Sequence, residues 1–297
     1  MGAVRILITG SNGLLGQKLV HDCMERKLSF FGVSSGENRN PDCPSENYRS
    51  LDLTQHDRAE AFLNQERFTH IIHTAAMTNV DACQLNPTPC YEVNHRASQH
   101  LFEIAKVYNT HFTLLSTDFI FDGKQGNYSE ADVPNPLSVY GTSKWLAEQD
   151  LIRSEYTNWA IARTIIVYGK GHHLNKSNIF SWLIQELSHG KEVSLITDHF
   201  RAPTWAEDLS KGCLSVVENN ANGIYHLCGP ETLSIFEIGL RVARYLGVSE
   251  HLIKPIDSTI LNQPAPRPPR TGFNLNKAKI ELNYSPHPIE ATLDSLK

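Results

Sequence analysis

The sequence contains no apolar run approaching the roughly 20 residues that span a bilayer. Its mean hydropathy is -0.32, and no membrane-spanning helix is expected. The apolar stretch at the N-terminus is too short for a signal peptide and runs straight into a strand pattern. Cysteine is sparse, and the six residues Cys23, Cys43, Cys83, Cys90, Cys213 and Cys228 include no Cys-x-x-Cys pair. That spacing points to neither a disulfide framework nor a zinc site, and a reducing cytoplasm is the expected setting. Positive charge is in deficit: 27 Lys and Arg face 32 Asp and Glu, for a net charge of -5. Such a surface repels a phosphate backbone, which argues against a nucleic-acid partner. Histidine is plentiful, at 14 residues. Yet His172 and His173 form a loop pair, and His70 and His73 fall on opposite faces of an expected strand, so no metal is expected. Repeats and low-complexity segments are absent.

What is present describes a packed globule, with 40% hydrophobic and 20% charged residues. A chain of 297 residues accommodates one nucleotide-sized domain and a smaller region packed against it. Short β-branched and apolar runs at residues 4–9, 28–33, 69–74, 112–116 and 159–167 read as strands. Helical patterns at 14–26, 55–67 and 136–156 alternate with them. Pro87 and Pro89 open a further long helix reaching about residue 108. This alternation implies an α/β protein with a parallel sheet covered on both faces. Beyond Gly169 the rhythm loosens, with helices expected at 179–188 and 205–218 and strands at 192–196 and 224–227. Ser234-Ile235-Phe236-Glu237 is a capping box opening a helix that ends near Gly247. The four prolines between 264 and 269 demand an extended arm. The reading is a dinucleotide-binding domain over residues 1–168, to which 205–228 returns. A smaller lobe then comprises 169–204 and 229–297, with chemistry where the two meet.

Gly10-Ser11-Asn12-Gly13-Leu14-Leu15-Gly16 lies between the first strand and the first helix. Gly10 permits the tight turn, Gly13 lets a pyrophosphate approach the backbone, and Gly16 allows the helix to pack closely on the sheet. The helix N-terminus then offers unpaired N–H groups to the anion. Asn12, Leu14 and Leu15 join the glycines in the expected cofactor site. At the end of the second strand, Ser34, Ser35 and Arg39 favour a 2′-phosphate and hence NADP(H). Glu37 is discordant and keeps NAD(H) as the alternative. Asp52 and Leu53, after the third strand, are placed to meet the adenine. Ala75 and Ala76, followed by Met77, are small enough to let the cofactor lie across the strand ends.

Tyr140 and Lys144 are four residues apart, hence on one face of a helix. An ammonium beside a phenol stabilises the phenolate and makes proton transfer feasible near neutral pH. Both are also expected against the cofactor. Upstream, Ser116-Thr117 ends the fifth strand, where a hydroxyl can bond a carbonyl oxygen and the alkoxide formed from it. Strand alternation turns only one of the two toward the cleft.

The glycine spacing, Gly-x-x-Gly-x-x-Gly, resembles that of extended short-chain dehydrogenases/reductases. The resemblance sharpens with Ser116–Gly123, Tyr140–Lys144, Arg163-Thr164, Val167-Tyr168-Gly169, Ala202-Pro203-Thr204, Gly223–Leu227 and Arg267-Pro268. These occur in the order seen in dTDP-4-dehydrorhamnose reductases and cover nearly the whole chain. The resemblance implies a Rossmann-type, doubly wound sheet with a small C-terminal substrate-binding lobe. It also implies reduction of a 4-keto-6-deoxy sugar carried on a nucleoside diphosphate. It selects Thr117 over Ser116 and makes Thr117, Tyr140 and Lys144 catalytic. It further implies that Thr78, Val80, Asp118, Phe119 and Phe121 line the sugar pocket and that Asn178 lies near the substrate diphosphate.

Departures from the family pattern fall in the substrate lobe. Ile165 and Ile166 stand where an aromatic platform is common. Pro269-Arg270-Thr271 replaces the usual Asn-Ser. Arg201 stands where related sequences carry Gly, beside Ala202-Pro203-Thr204; its planar fork suits two phosphate oxygens, and the alternative is a surface pair with Glu207. Dehydratases of the superfamily carry Asp-Glu after the threonine, whereas Asp118 is followed by Phe119, which disfavours dehydration. Two other readings remain, an epimerase on the same scaffold and a non-catalytic subunit resembling the β subunit of methionine adenosyltransferase. The expected partner is a nucleotide sugar; a homodimer is left open.

Overall fold

Ile6, Leu7 and Ile8 are three consecutive apolar residues, a pattern that a strand with a wet face would not carry. They sit in β1 (Arg5–Thr9), where Ile6 and Ile8 point into one buried layer and Leu7 into the other. The computed structural model describes residues 4–174 and 178–296. Residues 1–3, 175–177 and 297 lie outside them, including the first residues of the N-terminal apolar stretch. After β1 come β2 (Ser29–Ser34), β3 (Tyr48–Ser50), β4 (His70–His73), β5 (His111–Thr117) and β6 (Trp159–Thr164). Four short strands follow, β7 (Val167–Tyr168), β8 (Val193–Ile196), β9 (Phe200–Arg201) and β10 (Thr204–Trp205). The chain then returns to the main sheet as β11 (Gly223–His226). The seven-stranded sheet has the order β11-β6-β5-β4-β1-β2-β3, and every pairing in it is parallel.

Helices cover both faces. Leu19, Val20 and Cys23 of α1 (Leu14–Glu25) share one layer with the residues near the end of the chain, Phe273, Leu275 and Ala278. On the other face, α2 (His56–Gln65) contributes Phe62 and Leu63. Two short helices, α3 (Val80–Leu85) and α4 (Pro87–Tyr91), lead into α5 (Ala97–Val107), and α6 (Val139–Ile152) closes that layer. The helix opened by Pro87 is interrupted, because one π turn spans Glu92–Arg96 between α4 and α5. The sixth strand also stops earlier than its composition predicts. Ile166 takes a φ of 34°, an unusual conformation for a β-branched residue, and turns the chain out of the sheet. Val167 and Tyr168 then pair with Thr204 and Trp205.

A second core lies in α7 (Ile179–Ser188) and in the C-terminal elements. α8 (Ala206–Glu218) packs on the main sheet, and β12 (Leu233–Ser234) pairs with β9. The capping box then opens α9 (Ile235–Leu246), Gly247 ends it in the left-handed region, and β13 (Ile253–Ile256) pairs with β8. Phe180, Leu183 and Leu187 of α7 meet Ile238 and Val242 of α9 there. A last short helix, α10 (Asn276–Glu281), lies beside β11. No helix among the described residues is long and apolar enough to cross a membrane.

One buried ion pair ties α6 to the sheet. Arg163 on β6 donates to Glu148 through Nε at 3.1 Å and Nη2 at 2.7 Å, with the side chains 1% and 0% exposed. Removing one partner leaves the other charged in a dry interior. Arg163→Met should therefore cost about 3–5 kcal/mol of stability. Adding Glu148→Leu should recover part of that loss, and urea unfolding of the single and double variants checks both expectations.

Candidate active site

The glycine turn folds as its spacing requires. Gly10 has a φ of +71°, and a Cβ on Gly16 would lie 2.2 Å from the Gly10 carbonyl oxygen, so no larger residue fits beneath α1. Gly13 caps α1 without a side-chain acceptor, leaving first-turn N–H groups open to a ligand. Asn12 anchors the neighbouring loop. Its Nδ2 donates to the Glu37 carbonyl at 2.8 Å and to the Tyr48 hydroxyl at 3.1 Å, and its Oδ1 accepts from the Arg39 N–H at 2.8 Å. Ser34 is engaged from the other side, its hydroxyl accepting from the Asn12 N–H at 3.0 Å.

From this turn a cavity of about 710 Å³ runs along the C-terminal strand ends to α6. Gly10, Asn12, Gly13, Leu14, Leu15 and Arg39 line its near end, and Ala76 and Met77 its middle. Ser34, Ser35, Asp52, Leu53 and Ala75, expected beside a cofactor, do not form its wall. The Asp52 carboxylate accepts instead from the Thr54 N–H and hydroxyl at 3.0 and 2.7 Å, while Leu53 belongs to the core between sheet and helices. Glu37 is exposed and meets the turn only through its backbone.

Tyr140 and Lys144 line the far end. The hydroxyl of Ser138 accepts from the Gly141 N–H at 3.2 Å and starts α6 at Val139, just before the tyrosine. Tyr140 is 8% and Lys144 2% exposed. The Tyr140 ring stands edge-on to Phe119, 5.6 Å between centroids, and packs with Cys83 and Cys90. Burial raises the phenol's pKa above its ordinary value, and a hydrogen bond with the Thr117 hydroxyl opposes the rise. Burial pushes the Lys144 ammonium down to about 8. The Lys144 ammonium makes no side-chain hydrogen bond among the described residues, although the residue borders the cavity. Ser116 is similar: its buried hydroxyl has no partner and the residue lines the cavity. Both Ser116 and Thr117 therefore reach the site. The strand ends there in a tight turn, Asp118–Ile120, so simple alternation does not exclude either.

The Thr117 hydroxyl donates to Asp118 Oδ1 at 3.2 Å and accepts from the Phe119 N–H at 3.2 Å. Thr78, Val80, Asp118, Phe119 and Asn178 all line the cavity. Asn178 also caps α7, accepting from the Phe180 and Ser181 N–H groups and donating to the Gly169 carbonyl. Phe121 does not line it, being fully buried and stacked on Tyr128 at 4.1 Å. Arg201 is likewise displaced from its expected place. It is buried, and its Nη2 donates to the Pro268 carbonyl at 2.6 Å while Nη1 donates to those of Phe200 and Pro269. Its Nε lies 3.5 Å from Asp118 Oδ2. Arg201 does not line the cavity, and the surface pair with Glu207 is not formed, since Glu207 pairs with Lys18.

Asn94 was not singled out by sequence reasoning. The π turn points it inward, where Oδ1 accepts from the Met77 N–H at 2.7 Å and Nδ2 donates to the Met77 carbonyl at 3.0 Å. It thus fixes the loop forming the cavity's middle. An Asn about two turns into a proline-opened, largely apolar-faced helix was the available signal. Thr74, Leu115 and Leu174 are further lining residues that no motif marked.

The site joins an anion-receptive helix terminus to a buried phenol, ammonium and two hydroxyls, which suits a dinucleotide and proton transfer to a carbonyl. Comparisons with known proteins identify the family. A family described as the RmlD substrate binding domain matches residues 4–296. The probable low-salt glycan biosynthesis reductase Agl14 of Haloferax volcanii is 29% identical, with 98% of this chain and 96% of that protein covered. Methionine adenosyltransferase 2 subunit beta of Xenopus laevis is 26% identical, with coverage of 93% and 81%. The crystal structure of a hypothetical dTDP-4-dehydrorhamnose reductase from Sulfolobus tokodaii is 30% identical. It superposes with a TM-score of 0.84 over 98% of this chain and 99% of that one. A dTDP-4-dehydrorhamnose reductase of Bacillus anthracis, solved in complex with NADP, shares the fold at 24% identity and a TM-score of 0.84, with coverage of 98% of each chain. The chain belongs to the RmlD substrate-binding-domain family, dTDP-4-dehydrorhamnose reductase-like proteins with the extended short-chain dehydrogenase/reductase fold.

Proposed function

We propose that this protein is an NADP(H)-dependent reductase of a nucleotide-linked 4-keto-6-deoxy sugar. The observation that carries the reading is one continuous cavity with the glycine turn at one end and Thr117, Tyr140 and Lys144 at the other. The names of the similar reductases support it. The residues fit a dinucleotide: no Cβ is tolerated at Gly16, no side chain caps the first turn of α1, and the Ser116 hydroxyl has no hydrogen-bond partner among the described residues. Gly10, Asn12, Gly13, Leu14 and Leu15 would hold its diphosphate, Arg39 a 2′-phosphate, and Ala76, Met77 and Lys144 the remainder. When bound, the reduced nicotinamide supplies a hydride to the ketone carbon.

This chain's own residues manage the oxygen. Tyr140 passes its phenolic proton to the ketone oxygen as negative charge develops there. Lys144, four residues along α6, stabilises the phenolate left behind. Thr117 can turn its hydroxyl from Asp118 to the same oxygen and hold it while charge grows. Burial of Tyr140 and Lys144 excludes bulk water and strengthens both interactions. The Asp118 carboxylate faces Arg201 and has Phe119 beside it, so no adjacent carboxyl group serves an elimination. A nucleotide-sugar panel read by NADPH consumption tests the proposal. Turnover supports it. Tight dinucleotide binding without turnover favours a regulatory subunit, the reading to which the methionine adenosyltransferase relative points.

Tyr140→Phe removes one oxygen from a packed ring. The variant should still bind NADPH but lose roughly 10²- to 10⁴-fold in turnover, read by calorimetry and steady-state kinetics. The alkaline limb has a defined sign. Lys144 is charged below about pH 8 and neutral above it, so kcat/KM should fall as pH rises through about 8. A Lys144→Met variant should lack that limb. For the cofactor, Arg39→Ala should weaken NADPH binding and leave NADH nearly unchanged; equal parental affinities for the two cofactors would defeat the NADP assignment.

A further inference from the structure

Behind Thr117, three distant segments meet at one buried carboxylate. Asp118 is 2% exposed. It accepts from the Thr117 hydroxyl at 3.2 Å and from the Thr271 hydroxyl, and it faces Arg201 Nε at 3.5 Å. Arg201 comes from β9, and Thr271 from the end of the proline arm. The same guanidinium donates to the arm carbonyls of Pro268 and Pro269. Backbone bonds continue the seam: the Phe200 N–H donates to the Pro269 carbonyl at 2.8 Å and the Thr271 N–H to the Phe200 carbonyl at 3.0 Å. Further along the arm, Arg267 pairs with Asp81 at 2.7 Å.

We propose that Arg201 is a positioning residue, whose guanidinium fastens the proline arm and, together with Thr271, fixes the Asp118 carboxylate that orients the Thr117 hydroxyl. Arg201 does not reach the cavity, so its influence must pass through its neighbours. A planar fork suits this place, since one guanidinium serves a carboxylate and several carbonyls in fixed directions. Thr117 has one hydroxyl hydrogen and two neighbours that compete for it, Asp118 and Tyr140. A carboxylate held rigidly from behind sets which way that hydrogen points before a ketone arrives. Arg201 also stands 5.8 Å from the ring centroid of Phe119, a wall of the cavity. Burial raises the Asp118 pKa, while Arg201, Thr271 and Thr117 all oppose the rise. Tyr140 and Cys228 are the other titratable groups that feel Asp118, and Arg267 and His199 feel Arg201 from its far side. With Arg201 gone, the Asp118 carboxyl should protonate at higher pH.

The kinetic consequence rests on the reductase reading, whereas the titration of Asp118 does not. The test uses Arg201→Met, Arg201→Lys and Thr271→Val in the full-length protein. It measures NADPH affinity, kcat, KM and their pH profiles, with carboxyl-carbon NMR of Asp118 assigned through Asp118→Asn. Arg201→Met should lower kcat on the order of 10- to 100-fold with KM and NADPH affinity near parental values. The Asp118 resonance should titrate at higher pH, and kcat should fall with it as pH drops through that titration. Arg201→Lys should restore part of the loss. Thr271→Val, which removes one hydroxyl, should show a smaller loss of the same kind and decides the matter if Arg201→Met does not fold. Parental kcat with parental Asp118 titration in the variants overturns the proposal. So does a raised KM at unchanged kcat, which would mean that Arg201 touches substrate. If the parent reduces no nucleotide sugar, the reductase reading falls; the NMR titration then decides alone, a shift supporting the Arg201 assignment and no shift overturning it.

Discussion

The ion pair between Arg163 and Glu148 places α6, the helix that carries Tyr140 and Lys144. Glu148 lies one turn beyond Lys144, and Arg163 stands on β6, so the pair sets the height of α6 against the sheet. Its two charges are out of water, and only the multiple bonding of the guanidinium makes that tolerable. The same arginine lies over the Phe121 ring at 5.4 Å and beside His226 Nε2 at 3.4 Å. Burial and the nearby guanidinium hold His226 well below the usual imidazole range, so it stays neutral. Phe273 stacks on that neutral ring at 4.0 Å and joins the returning C-terminal segment to the sheet. One pair of charges thereby ties α6, sheet edge and late chain together.

The opposite wall of the site is fixed by an irregularity. A regular helix from Pro87 to Val107 would carry Asn94 in a different direction. The π turn shifts the register by one residue and aims Asn94 at both polar groups of the Met77 backbone. The loop after β4 is then held by side-chain bonds where no strand partner exists. Asn94 also donates to the Ser143 hydroxyl at 3.1 Å, so the loop and α6 share an anchor. The cavity wall and α6, with Tyr140 and Lys144, are set relative to each other by few atoms, which is what pre-organisation of a site requires.

Features that depend on local chain geometry were legible in the sequence. The parallel sheet follows from alternating apolar runs, the turn at Gly10 from its glycine spacing, and the shared helix face of Tyr140 and Lys144 from their separation. Features decided by distant partners were not. Arg201 was readable as a cation near the substrate lobe, but its destination is the arm carbonyls, 67 and 68 residues away in the chain. Phe121 lies in the motif around Thr117, yet the aromatic ring of Tyr128 draws it into the core and away from the cavity. Leu53 follows the same logic, since an apolar side chain beside an open layer of helices is buried more favourably there than at a cavity edge. The break at Ile166 was hidden because Ile165, Ile166 and Val167 carry a continuous strand signal, while Thr204 takes the Ile165 and Ile166 carbonyls from outside the main sheet.

The buried state of Lys144 links binding to chemistry. An ammonium in a dry site without an acceptor is costly, and its lowered pKa expresses that cost. The charge of Glu148, one turn away, offsets only part of it. Any ligand oxygen that reaches Lys144 therefore does two things at once. It gains a charge-assisted hydrogen bond, and it returns the ammonium toward its ordinary range. Ser116, whose hydroxyl has no partner among the described residues, offers a neutral donor in the same cavity. An occupied site thus holds a more firmly charged Lys144 beside Tyr140 than an empty one. In the proposed reaction, the phenol's proton would then be easier to give when a ligand is there to receive it, so the cavity that selects the ligand would also set the acidity of Tyr140.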